Sequence, residues 1–304
     1  MLPVRGVGTT SMIIIGDAPY GTEAQQALPF SSTASNILAE ALHANNVIFN
    51  SCLATTFLSR PLPRDEEMDS LYVKSAKAGK ENGWEFINGL YASPTLVIAR
   101  RTLLAWLDTQ HANVVLLCGE LALWAVTGEL GVHTKRGSIY PSLPTTNGRV
   151  FKTVCTYSIR SVTQQLEYKP IFDRDVQRAC KELCTSAIRY PKWNFVISDD
   201  FQTVCSSLYA LLDLLDQGPL RLAVDIETIA RSIACVGIAW SKTDALCVPI
   251  RTARMYWTVN QHLAIIDMIR RVLEHRNARC VWQNGHYDVQ YLGPCYGIAP
   301  RTTV

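Results

Sequence analysis

The chain has 304 residues, 48% of them hydrophobic, and a formal net charge of +3. That size and apolar content leave room for two globular domains with buried cores, and the near balance of charge excludes a uniformly basic nucleic-acid binder. No apolar run approaches the roughly 18 residues of a membrane span, so no membrane association is expected.

In chain order, the first part alternates short apolar runs with helical patterns. "SMIIIG" reads as a strand, followed by a helix from about Ala34 to Ala44, a strand in "VIFNSCLATTF" and a charged surface excursion over residues 61–83. A helix near Pro94 to Thr109, the strand "NVVLLCG", a helix over Glu120 to Thr127 and the strand "FKTVCTY" complete the alternation. Such an order predicts a parallel sheet covered on both faces. Val176, Ala179, Cys180, Leu183 and Ala187 recur at helical spacing between Asp173 and Ile188, and "RYPKW" then breaks the pattern, which puts a domain boundary near Tyr190.

Beyond it, "NFVIS" reads as a strand, Asp200 to Gln217 as a helix, and "LRLAVDIE", "ACVGIAW" and "ALCVPI" as three consecutive strands. A helix around Gln261 to His275 and the strand "ARCVWQN" follow. Consecutive strands before a long helix predict a mixed sheet. The fold class is therefore α/β in both domains, residues 1–190 with a parallel sheet and residues 191–304 with a mixed one.

Ten cysteines at irregular spacings with no CxxC pair, and an amino-terminal end without a signal-peptide pattern, suit a reducing cytoplasm where the thiols act as small buried hydrophobes. Arg251, Arg254, Arg270 and Arg271 are candidates for a local basic patch, and equally for ordinary solvated faces.

"AVDIETIA" puts Asp225 and Glu227 two apart at a strand end, so both point to one face. "VWQNGHYDVQYL" ends another strand with Asn284 and carries Asp288 four residues later. Oxygen donors converging near strand ends would suit a pair of hard divalent ions, Mg²⁺ or Mn²⁺, able to activate water for in-line phosphoryl displacement. Taken singly, the two acids could merely begin a loop and Asp288 could cap a helix.

DIET after an apolar strand, "GIAW" one strand later and NGHYD after a helix and a strand together resemble the proofreading 3′–5′ exonuclease domain of bacterial and phage family A DNA polymerases, over roughly residues 191–304. The resemblance implies an RNase H-like fold and two-metal hydrolysis of a terminal nucleotide from a single-stranded or frayed 3′ end of DNA. It implies Asp225 and Glu227 as first-metal ligands, Asp288 as the acid of the second motif and Asn284 near the substrate strand. The family's third block, a further Asp preceded by Tyr or His four residues earlier, has no counterpart before Val304. The chain is therefore expected to be a fragment, a poor exonuclease alone, with polymerase domains following Val304.

The first strand runs into "GDAPYG", which puts Asp17 on a constrained turn at the carboxyl end of a parallel sheet, where ligand crevices form. Phe30 follows at "LPF", and an aromatic face beside a rigid acid suits a flat base taken out of its stack. Asp17 as a helix cap, Phe30 as plain core and Asn50 as a strand-end cap are alternative readings. The turn lacks a P-loop lysine and the GxGxxG pattern, which argues against a phosphate-binding loop.

"IIIGDAPYGTEAQQALPFSSTASNIL", "VIFNSCLATT", "NVVLLCGELALWAVTG", "KRG" and "TVCTYSIR" occur in the order of the uracil-DNA glycosylase superfamily, most like its family 4 and 5 branches, over about residues 10–180. That resemblance implies a four-stranded parallel sheet, Asp17 as the acid that positions water, Phe30 as the ring that stacks on uracil, Asn50 on the pyrimidine edge and Tyr20 against the thymine methyl. Where active relatives carry a His-Pro pair, this chain has Ser158 and Ile159. Loss of such an oxyanion partner typically costs about 2.7–4 kcal/mol in catalysis. Excision activity is therefore doubtful and base recognition or plain DNA binding is the alternative. Without the cysteine pattern of family 4, no iron–sulfur cluster is expected.

Overall fold

A computed structural model describes residues 3–63, 65–252 and 256–301 of the chain. Arg254, one of the arginines considered for a basic patch, and Val304 lie outside the described residues. The chain divides into two compact units, Met1–Arg189 and Tyr190–Val304.

The first unit contains strands β1 (Val4–Arg5), β2 (Met12–Gly16), β3 (Leu53–Thr56), β4 (Tyr72–Val73), β5 (Glu85–Ile87), β6 (Leu90–Ala92), β7 (Val114–Cys118), β8 (Ile139–Pro141) and β9 (Lys152–Thr156). Its main sheet has the order β1-β3-β2-β7-β9-β8. The four inner strands are parallel, as expected from their apolar runs. β1 and β8 add antiparallel edges, each too short to leave a hydrophobic run in the sequence. Every residue of β2, β7 and β9 is buried, as both faces of a covered parallel sheet require.

Helices Asn36–His43, Pro94–Asp108, Glu120–Thr127 and Lys169–Lys181 stand close to their expected places. Pro94 begins its helix, where the missing N–H is harmless, and the Ser93 side chain accepts from Leu96 N. Three expectations are corrected. The strand expected from Val47 starts only at Leu53, because Phe49–Ser51 coils into a 3-10 turn. The surface excursion supplies β4 and helix Ala76–Glu81 to a small antiparallel sheet of order β4-β6-β5, whose other two strands follow it in the chain. Arg100 anchors that sheet by donating to Asn88 Oδ1 and the Ala125 carbonyl.

The third correction concerns the helix expected to reach Ile188, which ends at Lys181. The buried ammonium of Lys152 explains this, since it donates to Glu182 and to the Thr185 and Ala187 carbonyls, drawing that segment onto the sheet as a strap.

The second unit contains β10 (Asn194–Ile197), β11 (Leu220–Ile229), β12 (Ser232–Ala239), β13 (Asp244–Pro249) and β14 (Ala278–Val281), in the order β10-β13-β12-β11-β14. β11, β12 and β13 form an antiparallel meander, and β14 returns after a helix to lie parallel to β11. This mixed sheet is the RNase H-like arrangement expected of the second domain. Helices Phe201–Gln217 and Val259–Leu273 supply Leu208, Leu211, Ile265 and Ile269 to a core with Leu222, Val224 and Ile226 of β11. Because side chains alternate along a strand, Ala223, Asp225 and Glu227 stand exposed on the opposite face.

Replacing Lys152 by Met keeps volume but strands Glu182 and two carbonyls. The change is expected to lower unfolding free energy by about 2–3 kcal/mol, less than for a fully buried pair because Glu182 stays partly exposed. Urea denaturation checks it, and a loss below about 0.5 kcal/mol would contradict the strap.

Candidate functional site

β11 carries two acids outward while its core face stays apolar, and its ladder with β14 runs only to the pair Ala223 and Val281. The N–H of Ile226, beyond that ladder end, donates to Asp288 Oδ1 at 3.0 Å. Asp288 arrives there because Asn284 takes a left-handed backbone, φ 57°, and helix His286–Tyr296 starts directly after it. Asp288 is 2% exposed, and its carboxyl is bonded to the backbone between Asp225 and Glu227. A second tie joins the same elements, since the Thr228 and Tyr287 hydroxyls lie 2.6 Å apart. Tyr287 was not singled out from the sequence, although it immediately precedes Asp288 in "GHYD".

Burial raises the Asp288 pKa above the ordinary carboxylate range and the neighbouring Asp225 charge raises it further, against the lowering effect of the Ile226 N–H. Among the described residues no ion pair engages Asp225, Glu227 or Asp288. Asn284 acts as a turn residue whose carbonyl accepts from Tyr287 N at 3.0 Å, and no described bond joins its side chain to the acids.

Among the described residues no three His, Cys, Asp or Glu side chains form a ligand group for a metal. Glu227 shares the outward face of β11 with Asp225, and the Asp225 charge bears on the Asp288 carboxyl. All-oxygen, anionic and lacking a cationic partner, this pair fits a hard divalent ion of the Mg²⁺ kind. Such an ion is often held by one or two carboxylates, with water and phosphate oxygens completing its shell.

The amino-terminal unit places a cavity of about 240 Å³ at the carboxyl ends of β2, β7 and β9. Asp17, Tyr20, Phe30 and Ser158 line it, together with Cys118 and Arg160, which sequence reasoning missed. Asp17 Oδ1 accepts from Ala122 N at 2.8 Å, in the first turn of helix Glu120–Thr127. A Cβ at Gly119, whose φ is +122°, would collide with the Asp17 carboxylate, so this approach requires glycine. Burial pushes the Asp17 pKa up to about 7, with the Glu120 charge adding to it against the lowering by helix N–H groups.

The loop from residue 20 to residue 35 is organised by Glu23, a buried acid whose carboxylate accepts from Tyr20 N, Ser32 N, Ser32 Oγ and Ser35 Oγ. Phe30, left-handed at φ 54°, lays its ring against Gly16, where a Cβ would sit 2.9 Å from Cζ. Ser158 caps helix Ile159–Gln164, accepting from Ser161 N at 3.1 Å while its Oγ lies 2.9 Å from Ser161 Oγ.

Asn50 is not brought to this cavity. It lies on the 3-10 turn before β3, at the amino end of the sheet, and lines a separate groove with Arg5, His43 and Phe49. The late start of β3 is the reason: its carboxyl end delivers Thr56, Phe57 and Leu58 instead, and the N–H groups of Phe57 and Leu58 donate to the carbonyls of Gly16 and Asp17.

Of the arginines considered for a patch, Arg270 pairs with Asp267 at 2.5 Å and Arg251 donates to Ser232 Oγ. Burial pushes the Cys52 and Cys155 thiols up to about 11 and about 12, in the manner of unreactive core cysteines. Among the described residues no helix is long and apolar enough to cross a membrane.

No protein-family model and no curated protein matches the chain. Among solved structures, a crystal structure of the EXD2 exonuclease domain soaked in Mn and GMP is similar at 15% identity and a TM-score of 0.28. The similarity covers 36% of this chain and 54% of that one, so the chain spans about half of that domain. So slight a superposition leaves the strand order itself as the basis of the fold.

An acid whose folded pKa is raised stays protonated where the unfolded chain has lost its proton. Stability therefore falls as pH rises from about 4 to about 7, and levels off above. Relative to wild type, Asp17→Asn should gain stability across that window by at most about 1.4 kcal/mol per pH unit. Melting curves from pH 4 to 8 check this, and parallel profiles for the two proteins would refute it.

Proposed function

We propose that the carboxy-terminal unit is a divalent-metal-dependent 3′–5′ exonuclease domain of the proofreading kind, and that the amino-terminal unit is a base-recognising domain related to uracil-DNA glycosylases. Together they would form the DNA-processing region of a phage-type DNA polymerase, acting in the cytoplasm on a single-stranded or frayed 3′ end. The observation that carries the nuclease reading is the Asp288 carboxyl bonded to Ile226 N, between the outward acids of β11.

In this reading a bound Mg²⁺ or Mn²⁺ supplies Lewis acidity and a nucleophilic water. Asp225 and Asp288 would hold the ion, and Glu227 lies one residue beyond Ile226 on the Asp225 face. The Ile226 N–H keeps Asp288 from swinging away, and the Thr228–Tyr287 contact fixes the helix that carries it. Asn284, on the turn before that helix, borders the path of the strand.

For the amino-terminal unit, the cap made by Ser158 favours recognition without excision. Its hydroxyl is already bonded within its own helix and is poorly placed to stabilise a departing anion. The cavity's acid and aromatic wall suit a pyrimidine-sized ring, with Asp17 addressing its polar edge and Tyr20 and Phe30 its faces and rim.

The nuclease reading is tested with the whole chain and a 3′-labelled single strand. Mn²⁺ should raise strand affinity at least five-fold and support slow release of terminal nucleotides, with both effects lost in Asp225→Asn and in Asp288→Asn. Mn²⁺ effects that persist in both variants, or that are absent from the wild type, would overturn it. For the other unit, a uracil-containing oligonucleotide should be bound without release of free uracil, and Phe30→Leu should weaken that binding several-fold. Uracil release would instead make the unit a working glycosylase.

A further inference from the structure

We infer that Arg5, on the two-residue edge strand β1, is a positioning residue that sets the aromatic wall of the amino-terminal cavity from outside; its bearing on ligands rests on the reading of that cavity as a base site. Two contacts converge on it, and a third joins their partners. Arg5 Nη1 donates to the Phe30 carbonyl at 2.5 Å. Its guanidinium carbon lies 4.7 Å from the centroid of the Phe49 ring. Phe49 in turn meets Phe30 edge to face, with centroids 6.1 Å apart.

The backbone explains why such a clamp is needed. Phe30 has φ 54°, a conformation that a bulky L residue adopts only when its surroundings impose it. In that conformation its carbonyl meets Arg5 while its ring lies against Gly16 at the end of β2 and lines the cavity. Ala27, at φ 49°, is a second left-handed residue in the same short stretch, so the loop carries strain on the approach to the ring. The carboxylate of Glu23 ties Tyr20, Ser32 and Ser35, leaving the Phe30 carbonyl to Arg5.

Arg5 is well suited to this. β1 pairs it with Ala54 of β3, which fixes its backbone to the sheet that bears the cavity. Among the described residues it forms no ion pair, so its charge is directed at a carbonyl and a ring face. A planar fork can donate to one while lying flat over the other, whereas an ammonium is a compact point charge with no flat face to stack on a ring. Removing the clamp should let Phe30 relax toward ordinary backbone angles and carry its ring off Gly16, changing the width of the slot for a flat pyrimidine.

The test places 4-fluorophenylalanine at position 30 and, as a reference in the same unit, at the fully buried Phe172. In Arg5→Gln the ¹⁹F resonance at position 30 should shift or broaden while that at Phe172 holds, and the dissociation constant for uracil should rise at least ten-fold. Arg5→Lys should give an intermediate loss, and it serves as the deciding variant if Arg5→Gln does not fold. Unchanged resonance and affinity at position 30 in a folded variant would overturn the proposal. If the wild type itself does not bind uracil, the base-site reading falls, and the fluorine signals alone decide whether Arg5 positions Phe30.

Discussion

One hydrogen bond, from the Ile226 N–H to the Asp288 carboxyl, organises the carboxy-terminal site. It exists because β14 stops pairing with β11 at Ala223, leaving a donor that needs a partner just where the strand carries its acids outward. A buried donor without an acceptor costs roughly 1–3 kcal/mol, so the strand end itself recruits the helix that bears Asp288. The same bond concentrates negative charge, since it brings a nearly inaccessible carboxyl beside Asp225 with no described basic partner. Protonation of Asp288 or entry of a cation relieves such an arrangement, and the second of these is the physical argument for the proposed metal dependence.

The amino-terminal cavity obeys a related constraint in a different way. Burial dominates the environment of Asp17 and pushes its pKa up to about 7, although helix N–H groups face it. An acid, a ring held by a strained backbone and a hydroxyl already spent on a helix cap line this pocket, and in the proposed reading they suit recognition more than reaction. The walls of the cavity are supplied by the end of β2, its following loop and the turn after β9.

Much of this was legible in the sequence where one force dominated. The runs "MIIIG" and "VVLLC" are buried on both faces, so their apolar continuity fixed them as inner parallel strands. The alternation in "LRLAVDIET" likewise separated the core residues of β11 from Asp225 and Glu227. What stayed hidden depended on partners distant in the chain. The short edges β1 and β8 are defined by pairing, the end of helix Lys169–Lys181 by a lysine on β9, and the displacement of Asn50 by a 3-10 turn inside an apolar run. Glu23 and Arg5 carry no sequence signal of their roles, because nothing local reveals four hydrogen bonds to one carboxylate or a clamp on a carbonyl.

The central claim is that Asp225 and Asp288 act on one and the same ion. A double-substitution cycle on Mn²⁺ affinity, followed by electron paramagnetic resonance, tests it most directly with Asp225→Asn, Asp288→Asn and the pair together. Each single change is predicted to weaken binding at least ten-fold, and the double change to add little to either. Additive losses, or Mn²⁺ affinity indifferent to both positions, would contradict the account.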